Sequence, residues 1–282
     1  PAWYKKKVTI PADWKGKNIL LHFGAVDFES NVWINGQKVG SHQGSSDSFT
    51  FDITPYLKDG KSQEIIVSVI DSTDTSFQPI GKQTLKPRGI KYTAVSGIWK
   101  TVWLEPVSQK SIETFRGVSD IDKGTYSIGV TGRNTTGDEK IRITGLDKGK
   151  KLVSKEGNIS DMLVLDIPDA QGCSPDNPYL YDMKMELMAG NDVVDNVDSY
   201  FAMRKISIAK DEEGIDRIML NNKFVFQYGP LDQGWWPDGL LTPPSDEALK
   251  YDIEFLQKAG FNTIRKHIKI EPERFYYHCD KM

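Results

Sequence analysis

Between Gly229 and Gly239 the sequence reads GPLDQGWWPDG. Sugar rings present apolar C–H faces that stack on aromatic rings, and their hydroxyls need carboxylate and amide partners. Asp232, Gln233, Trp235 and Trp236 therefore give this loop the composition of a carbohydrate surface. The competing reading is that the tryptophan pair closes the end of its own domain or packs on the first domain. Metal and thiol chemistry is not indicated. His22, His42, His267 and His278 are scattered without the paired spacing of a structural zinc site. Cys173 and Cys279 are the only cysteines, too few for a disulfide framework.

The elements that must position such a loop change character along the chain. From Val8 to Leu104, β-rich runs alternate with turn residues: Asn18 to Phe23, Asn31 to Ile34, Glu64 to Ile70 and Lys100 to Leu104. This spacing predicts an antiparallel sandwich or jelly roll. Asn35-Gly36, between NVWI and QKVG, predicts a tight hairpin, because both central turn positions need positive φ. A second β-rich block, with candidate strands Tyr126–Thr131, Lys140–Thr144, Met162–Ile167 and Tyr181–Met188, fits an immunoglobulin-like sandwich without its disulfide. After Asp211 the pattern becomes β-α-β-α. Phe224–Tyr228 reads as a buried strand. Ser245 caps a helix through Leu249, Ile253, Leu256 and Ala259 that ends at Gly260. Asn262–Ile268 reads as a second strand, and Pro272 opens another helix. The segments expected are 1–107, 108–210 and 211–282. Together they predict a mainly β chain: an antiparallel sandwich or jelly roll, then an immunoglobulin-like sandwich, then the opening of a parallel sheet with helices on its face.

Composition narrows the partners. The chain has 282 residues, a formal net charge of −3, and 38% hydrophobic and 27% charged residues, which is ordinary globular usage. Its cations are spread along the chain rather than gathered into a stripe that could displace phosphate counterions, so nucleic acid is not an expected partner. No apolar run reaches the roughly 20 residues that span a bilayer, and membrane is not expected either. Pro1 to Lys7 lacks the apolar core of a signal peptide, which leaves the compartment open; a secreted or periplasmic location is preferred.

The order of motifs resembles a known family. Val32–Thr54 (VWINGQKVGSHQGSSDSFTFDIT) and Ser96–Pro106 (SGIWKTVWLEP) resemble the sugar-binding domain that opens glycoside hydrolase family 2 enzymes, among them β-galactosidases, β-glucuronidases and β-mannosidases. Ser174–Tyr181 (SPDNPYLY) resembles the end of that family's immunoglobulin-like domain. Leu220–Tyr228 (LNNKFVFQY), the Gly229–Gly239 loop and Gly260–His267 (GFNTIRKH) resemble the start of its catalytic barrel. The resemblance implies a jelly-roll sandwich plus an immunoglobulin-like sandwich, followed by the first βα units of a truncated (β/α)8 barrel. It also implies a retaining hydrolase of β-glycosidic bonds, galactoside by default, acting without an organic cofactor. Such a barrel takes about 250 residues, so the chain is expected to be the N-terminal portion of a longer protein, clipped before Trp3. Both catalytic glutamates are then expected beyond Met282, and this chain alone is expected to be inactive.

The resemblance also implies sugar-subsite roles for Arg265 and His267, at the end of the second barrel strand. The run here is Arg-Lys-His, tighter than the Arg-x-x-His of some members. Asp232, Gln233, Trp235 and Trp236 complete the expected substrate-binding set, and no metal is implied. Retaining enzymes place two carboxyl groups about 5 to 5.5 Å apart. Asp232 and Glu271 each follow a barrel strand and offer a carboxylate pair by position, but an acid before Pro272 is more simply a helix-dipole partner. The long stretch Asp71–Thr93 is expected to reach the barrel mouth with Lys82, Gln83 and Tyr92, or else to dock domains. Trp33, Trp99 and Trp103 lie in alternating apolar runs and are expected in the core. Phe224, Phe226, Ile264 and Ile268 are expected to lack cover. The rival reading is a noncatalytic carbohydrate-binding or scaffolding module, against which the barrel-like motifs count. Carbohydrate is the partner in both readings, and an oligomer is open.

Overall fold

The computed structural model describes all 282 residues. It is mainly β and divides into two compact units, Pro1–Val107 with Gly229–His278, and Ser108–Tyr228 with Cys279–Met282. Residues 211–282 are thus shared between the units.

In the first unit, Ala2–Val8, Gln63–Ile70, Glu29–Ile34 and Gln37–Gln43 form one antiparallel sheet in that order. Val102–Val107, Asn18–Phe23 and Phe49–Asp52 form another. Period-two alternation turns Val32 and Ile34 inward, where they meet Ile19, Leu21, Phe23, Ile53, Val67 and Val69 in one core. The Asn35-Gly36 hairpin forms, with φ of 52° and 86°. Asn35 Nδ2 donates to Tyr56 O at 2.8 Å and to Gln63 Oε1 at 2.7 Å, which pins the tip to the sheet. Of the three tryptophans expected in the core, Trp99 is buried. Trp103 is 44% exposed and stacks on His22, while Trp33 is half-buried against Trp3. The same alternation explains both departures: Leu104 and Val32 take the inward positions, so the adjacent Trp103 and Trp33 face outward.

The second unit pairs Ser111–Asp120, Thr125–Arg133 and Met162–Asp166 in one sheet. Lys150–Asn158, Lys140–Asp147, Tyr181–Ala189 and Asp192–Phe201 make the other. Tyr126, Ile128, Val130, Ile141, Ile143, Leu163, Leu165, Met183, Met185 and Leu187 meet in its core, every second residue of four strands. Cys173 is buried and Cys279 exposed, and no disulfide joins them.

The strand expected over Phe224–Tyr228 is not formed. Asn221 and Asn222 take left-handed φ of 50° and 63°, turning the chain back so that Lys223–Phe224 pairs antiparallel with Asp216–Leu220. Phe226 and Tyr228 then lie outside any ladder, exposed. The parallel strand starts after Pro230 instead: Leu231–Asp232 pairs with Arg265–Lys266. The second strand is likewise two residues long rather than the seven of Asn262–Ile268. Two helices follow these strands, α1 (Asp246–Lys258) and α2 (Glu273–Lys281). Ser245 Oγ accepts the Ala248 N–H at 3.2 Å, and Gly260 leaves α1 with φ 82°. Asp246 at the start of α1 accepts from Arg274 and His278 of α2, at 2.6 and 2.8 Å. These residues make two βα units and not an eight-stranded barrel.

Candidate functional site

The Gly229–Gly239 loop is set against the second strand by a cluster of four charges. Arg265 and Lys266 are neighbours on a strand and must point to opposite sides. Arg265 is exposed, and Lys266 turns inward to two carboxylates. Its Nζ lies 2.7 Å from Asp232 Oδ2 and 2.6 Å from Glu271 Oε1. These two hydrogen bonds hold the Lys266 ammonium above the usual lysine pKa in spite of its burial, the largest influence on it, which acts the other way. Lys269 Nζ lies 3.2 Å from Glu271 Oε2, out of hydrogen-bond line, and donates to Gly234 O at 2.5 Å. Burial pushes the Lys269 ammonium down. Two cations thus face two anions, all four side chains mostly buried, which leaves no net buried charge.

The loop itself turns on Gly234, at φ 60°. A Cβ there would lie 2.1 Å from Glu271 Oε1, so only glycine lets the cluster close over the backbone. Asp232 Oδ1 accepts the Gly234 N–H at 2.6 Å, completing the turn.

This turn presents Gln233 and Trp235 to the Asp71–Thr93 segment. Lys82 Nζ donates to Gln233 Oε1 at 3.2 Å. Trp235 stacks on Tyr92 with centroids 4.2 Å apart and planes at 11°. Beneath them lies a cavity of about 60 Å³ whose walls include Asp27, Ser45, Gln83, Trp99, Gln233, Trp235 and Lys269. Asp27 is 2% exposed and its Oδ1 has no hydrogen-bond partner. Gln83 Nε2 donates to Asp27 Oδ2 at 3.4 Å. Burial, then the nearby Asp71, pushes the Asp27 carboxyl up to about 6. On the loop's other side, an open cleft of about 380 Å³ runs from Tyr92 and Trp235 to Asp252 and Phe255 of α1.

The structure brings together Asp232, Gln233, Trp235, Arg265 and His267 at the ends of the two parallel strands. The backbone N–H of His267 donates to Asp232 O at 2.8 Å. Burial first, then the Lys82 and Arg265 charges, hold its imidazole below the ordinary histidine pKa. Trp236 stands apart: its backbone bridges Leu240, and its Nε1 is buried without a partner. Glu271 follows the second strand as expected, but it is an ion-pair partner in the charge cluster and not a helix-dipole acid alone. Lys266, Lys269 and Gly234 were not legible as site residues. The signal for Lys266 was present, since an Arg-Lys-His run on a strand must turn one cation inward toward an acid.

Comparison with known proteins bears on the family. The model for "Glycosyl hydrolases family 2, sugar binding domain" matches residues 1–106, and that for "Glycosyl hydrolases family 2" matches 111–204. A β-galactosidase of Thermoanaerobacter pseudethanolicus is 27% identical over 100% of this chain and 38% of its own length. A β-glucuronidase of Bacteroides fragilis is 22% identical over 93% of the chain and 39% of its own length. The solved β-glucuronidase from Ruminococcus gnavus in complex with D-glucuronic acid superposes with a TM-score of 0.84 at 22% identity, over 99% of this chain and 48% of that one. The chain spans between 26% and 43% of the length of the curated relatives it matches. Its two sandwiches, in this order and over these residues, make the chain a member of glycoside hydrolase family 2.

Proposed function

We propose that the chain is the N-terminal portion of a retaining β-glycosidase and contributes substrate-binding groups to it, not the catalytic carboxylates. Membership of the family supports the reaction class, since the relatives carry β-galactosidase and β-glucuronidase names. The β-galactoside reading rests on the sequence resemblance. The observation that carries the second half is the Lys266 bridge. A nucleophile must be a free carboxylate and a general acid must hold a proton, yet Asp232 and Glu271 both lie against one buried ammonium. That ammonium engages one oxygen of each, so neither stands free to attack.

In this reading Arg265, exposed and without an acidic partner, donates to sugar hydroxyls. His267, kept neutral by burial and by the Lys82 and Arg265 charges, can both donate and accept. Gln233 offers its amide N–H groups, because its oxygen already serves Lys82. Trp235 supplies an apolar wall, Asp232 fixes the loop through the Gly234 N–H, and Trp236 bridges it to Leu240.

A panel of nitrophenyl β-galactosides, β-glucuronides and β-mannosides tests this on a longer protein containing the chain and on the 282 residues alone. The longer protein is expected to turn over one of them, and Arg265→Ala to lower its kcat/KM roughly 5- to 150-fold, the equivalent of about 1 to 3 kcal/mol. The 282 residues alone are expected to give no turnover. Turnover by them that is abolished by Asp232→Ala or Glu271→Ala would place the catalytic carboxylates here and overturn the reading.

A further inference from the structure

From Thr75 to Leu104 the chain has no Asp or Glu, although acids make up 39 of its 282 residues. Lys82, Lys86, Arg88, Lys91 and Lys100 fall in that stretch. The structure arranges the first four as a loop with anchored stems. Gln83–Thr84 pairs in parallel with Tyr92–Thr93, and Tyr92 N donates to Lys82 O at 2.9 Å. Lys91 N donates to Arg88 O at 3.1 Å around Gly89, at φ 58°, which closes the tip. Each stem touches the candidate sugar loop, one through Lys82 and Gln233, the other through Tyr92 and Trp235.

The tip carries Lys86, Arg88 and Lys91, all exposed. Neither they, nor Lys82, nor Arg265 forms an ion pair, whereas Lys266 and Lys269 alongside are fully engaged. The acid nearest the loop, Asp74, accepts from Thr84 and feels Lys91 only as a weaker, longer-range charge. Lys82 and Arg265 both act on His267, so the basic loop and the strand end share one electrostatic field. Like charges gathered without counter-charges cost stability in the free protein and draw anions toward the surface.

We propose that the glycan bound here is acidic: sugar units beside the Gln233–Trp235 loop carry carboxylate or sulfate groups, which Lys86, Arg88 and Lys91 bind together with Lys82 and Arg265. The inference rests on the carbohydrate reading above and adds the chemical class of the polymer. Arg88 suits a planar carboxylate or a sulfate by two-point donation, and the lysines act as point charges along the chain. Attraction of this kind weakens as salt shortens the screening length.

The test is binding of polygalacturonate, dextran sulfate and neutral dextran to the 282-residue chain by affinity electrophoresis and calorimetry, at low and at high salt. Retention by at least one acidic polymer, weakened by salt, and none by dextran is expected. Lys86→Glu/Arg88→Glu/Lys91→Glu should weaken it about tenfold or more, equivalent to about 1.4 kcal/mol. Lys148→Glu/Lys150→Glu/Lys151→Glu, a basic run elsewhere in the chain, should leave it unchanged. Equal binding of dextran, equal retention of single-stranded DNA, or indifference to the loop triple would overturn the proposal. Assay of the whole nitrophenyl β-glycoside panel, glucuronides included, with the longer protein separates the two readings. Turnover without acidic-polymer binding removes only this inference, and binding without turnover removes only the hydrolase.

Discussion

Tyr92 and Trp235, 143 residues apart in sequence, lie face to face with ring centroids 4.2 Å apart and planes at 11°. This contact and the Lys82–Gln233 hydrogen bond fix the Gly229–Gly239 loop to the Asp71–Thr93 segment. Stacked aromatic pairs contribute about 0.5 to 1.5 kcal/mol beyond the area they bury. Tyr92→Leu keeps much of the apolar area and removes the stack. It should lower unfolding stability by about 1 kcal/mol and alter the near-ultraviolet circular dichroism of Trp235. An unchanged spectrum would show that the pair is not stacked in solution.

Gly234→Ala places a methyl group where Glu271 Oε1 now lies and asks alanine for φ near 60°. The loop must open or the charge cluster must part. A loss of about 1 to 3 kcal/mol in urea unfolding is expected, with a shift in tryptophan emission as Trp235 leaves Tyr92. Gly60→Ala shares the positive φ but meets nothing within 4 Å, so it isolates the backbone contribution. Equal losses at the two sites would argue against the crowding of Glu271.

Glu271→Gln keeps the shape of the side chain and removes the charge that Lys266 and Lys269 share. Lys266 retains Asp232, whereas Lys269 is left with a carbonyl alone. The loss should be about 2 to 3 kcal/mol, in the range for hydrogen bonds to buried charges. A Glu271→Gln/Lys269→Met double variant should recover part of it, because the orphaned ammonium is removed as well. Strict additivity in that cycle would refute the coupling.

Asp27 gives the fold a pH dependence with a definite sign. Its carboxyl is raised from 3.8 to about 6, so the folded chain binds more protons than the unfolded chain between those values. Stability therefore falls as pH rises from about 4 to 6 and stays lowered above that. Asp27→Asn keeps an acceptor for Gln83 and removes the buried charge. It should be more stable than the parent by about 1 to 3 kcal/mol at pH 7.5, and the advantage should vanish near pH 4. Urea titrations at the two pH values decide this. A variant less stable at pH 7.5 would mean that the carboxylate has a cationic partner in solution.

The amino-acid sequence by itself determined the elements whose signals are local. A short apolar run marked Asn18–Phe23, and alternation of apolar residues marked Lys140–Thr144 and Tyr181–Met188, because burying one face of a sheet needs only a period of two. Asn35-Gly36 and Ser245 declared a hairpin and a helix start through conformations and hydrogen bonds confined to a few neighbouring residues. Motif order pointed to the family for the same reason. What depended on distant partners was decided only in the tertiary structure. FVFQY has the composition of a buried strand, yet Asn221-Asn222 turn it back and leave Phe226 and Tyr228 exposed. Trp103 reads as core until pairing register sets Leu104 inward and leaves the indole on His22. Asp232 and Glu271 offer a carboxylate pair by position alone, and only the structure shows Lys266 between them. Asp27, buried in the first sandwich beside Gln83, carried no sequence signal at all. Its altered acidity arises from desolvation and from Asp71, both consequences of chain segments meeting in space.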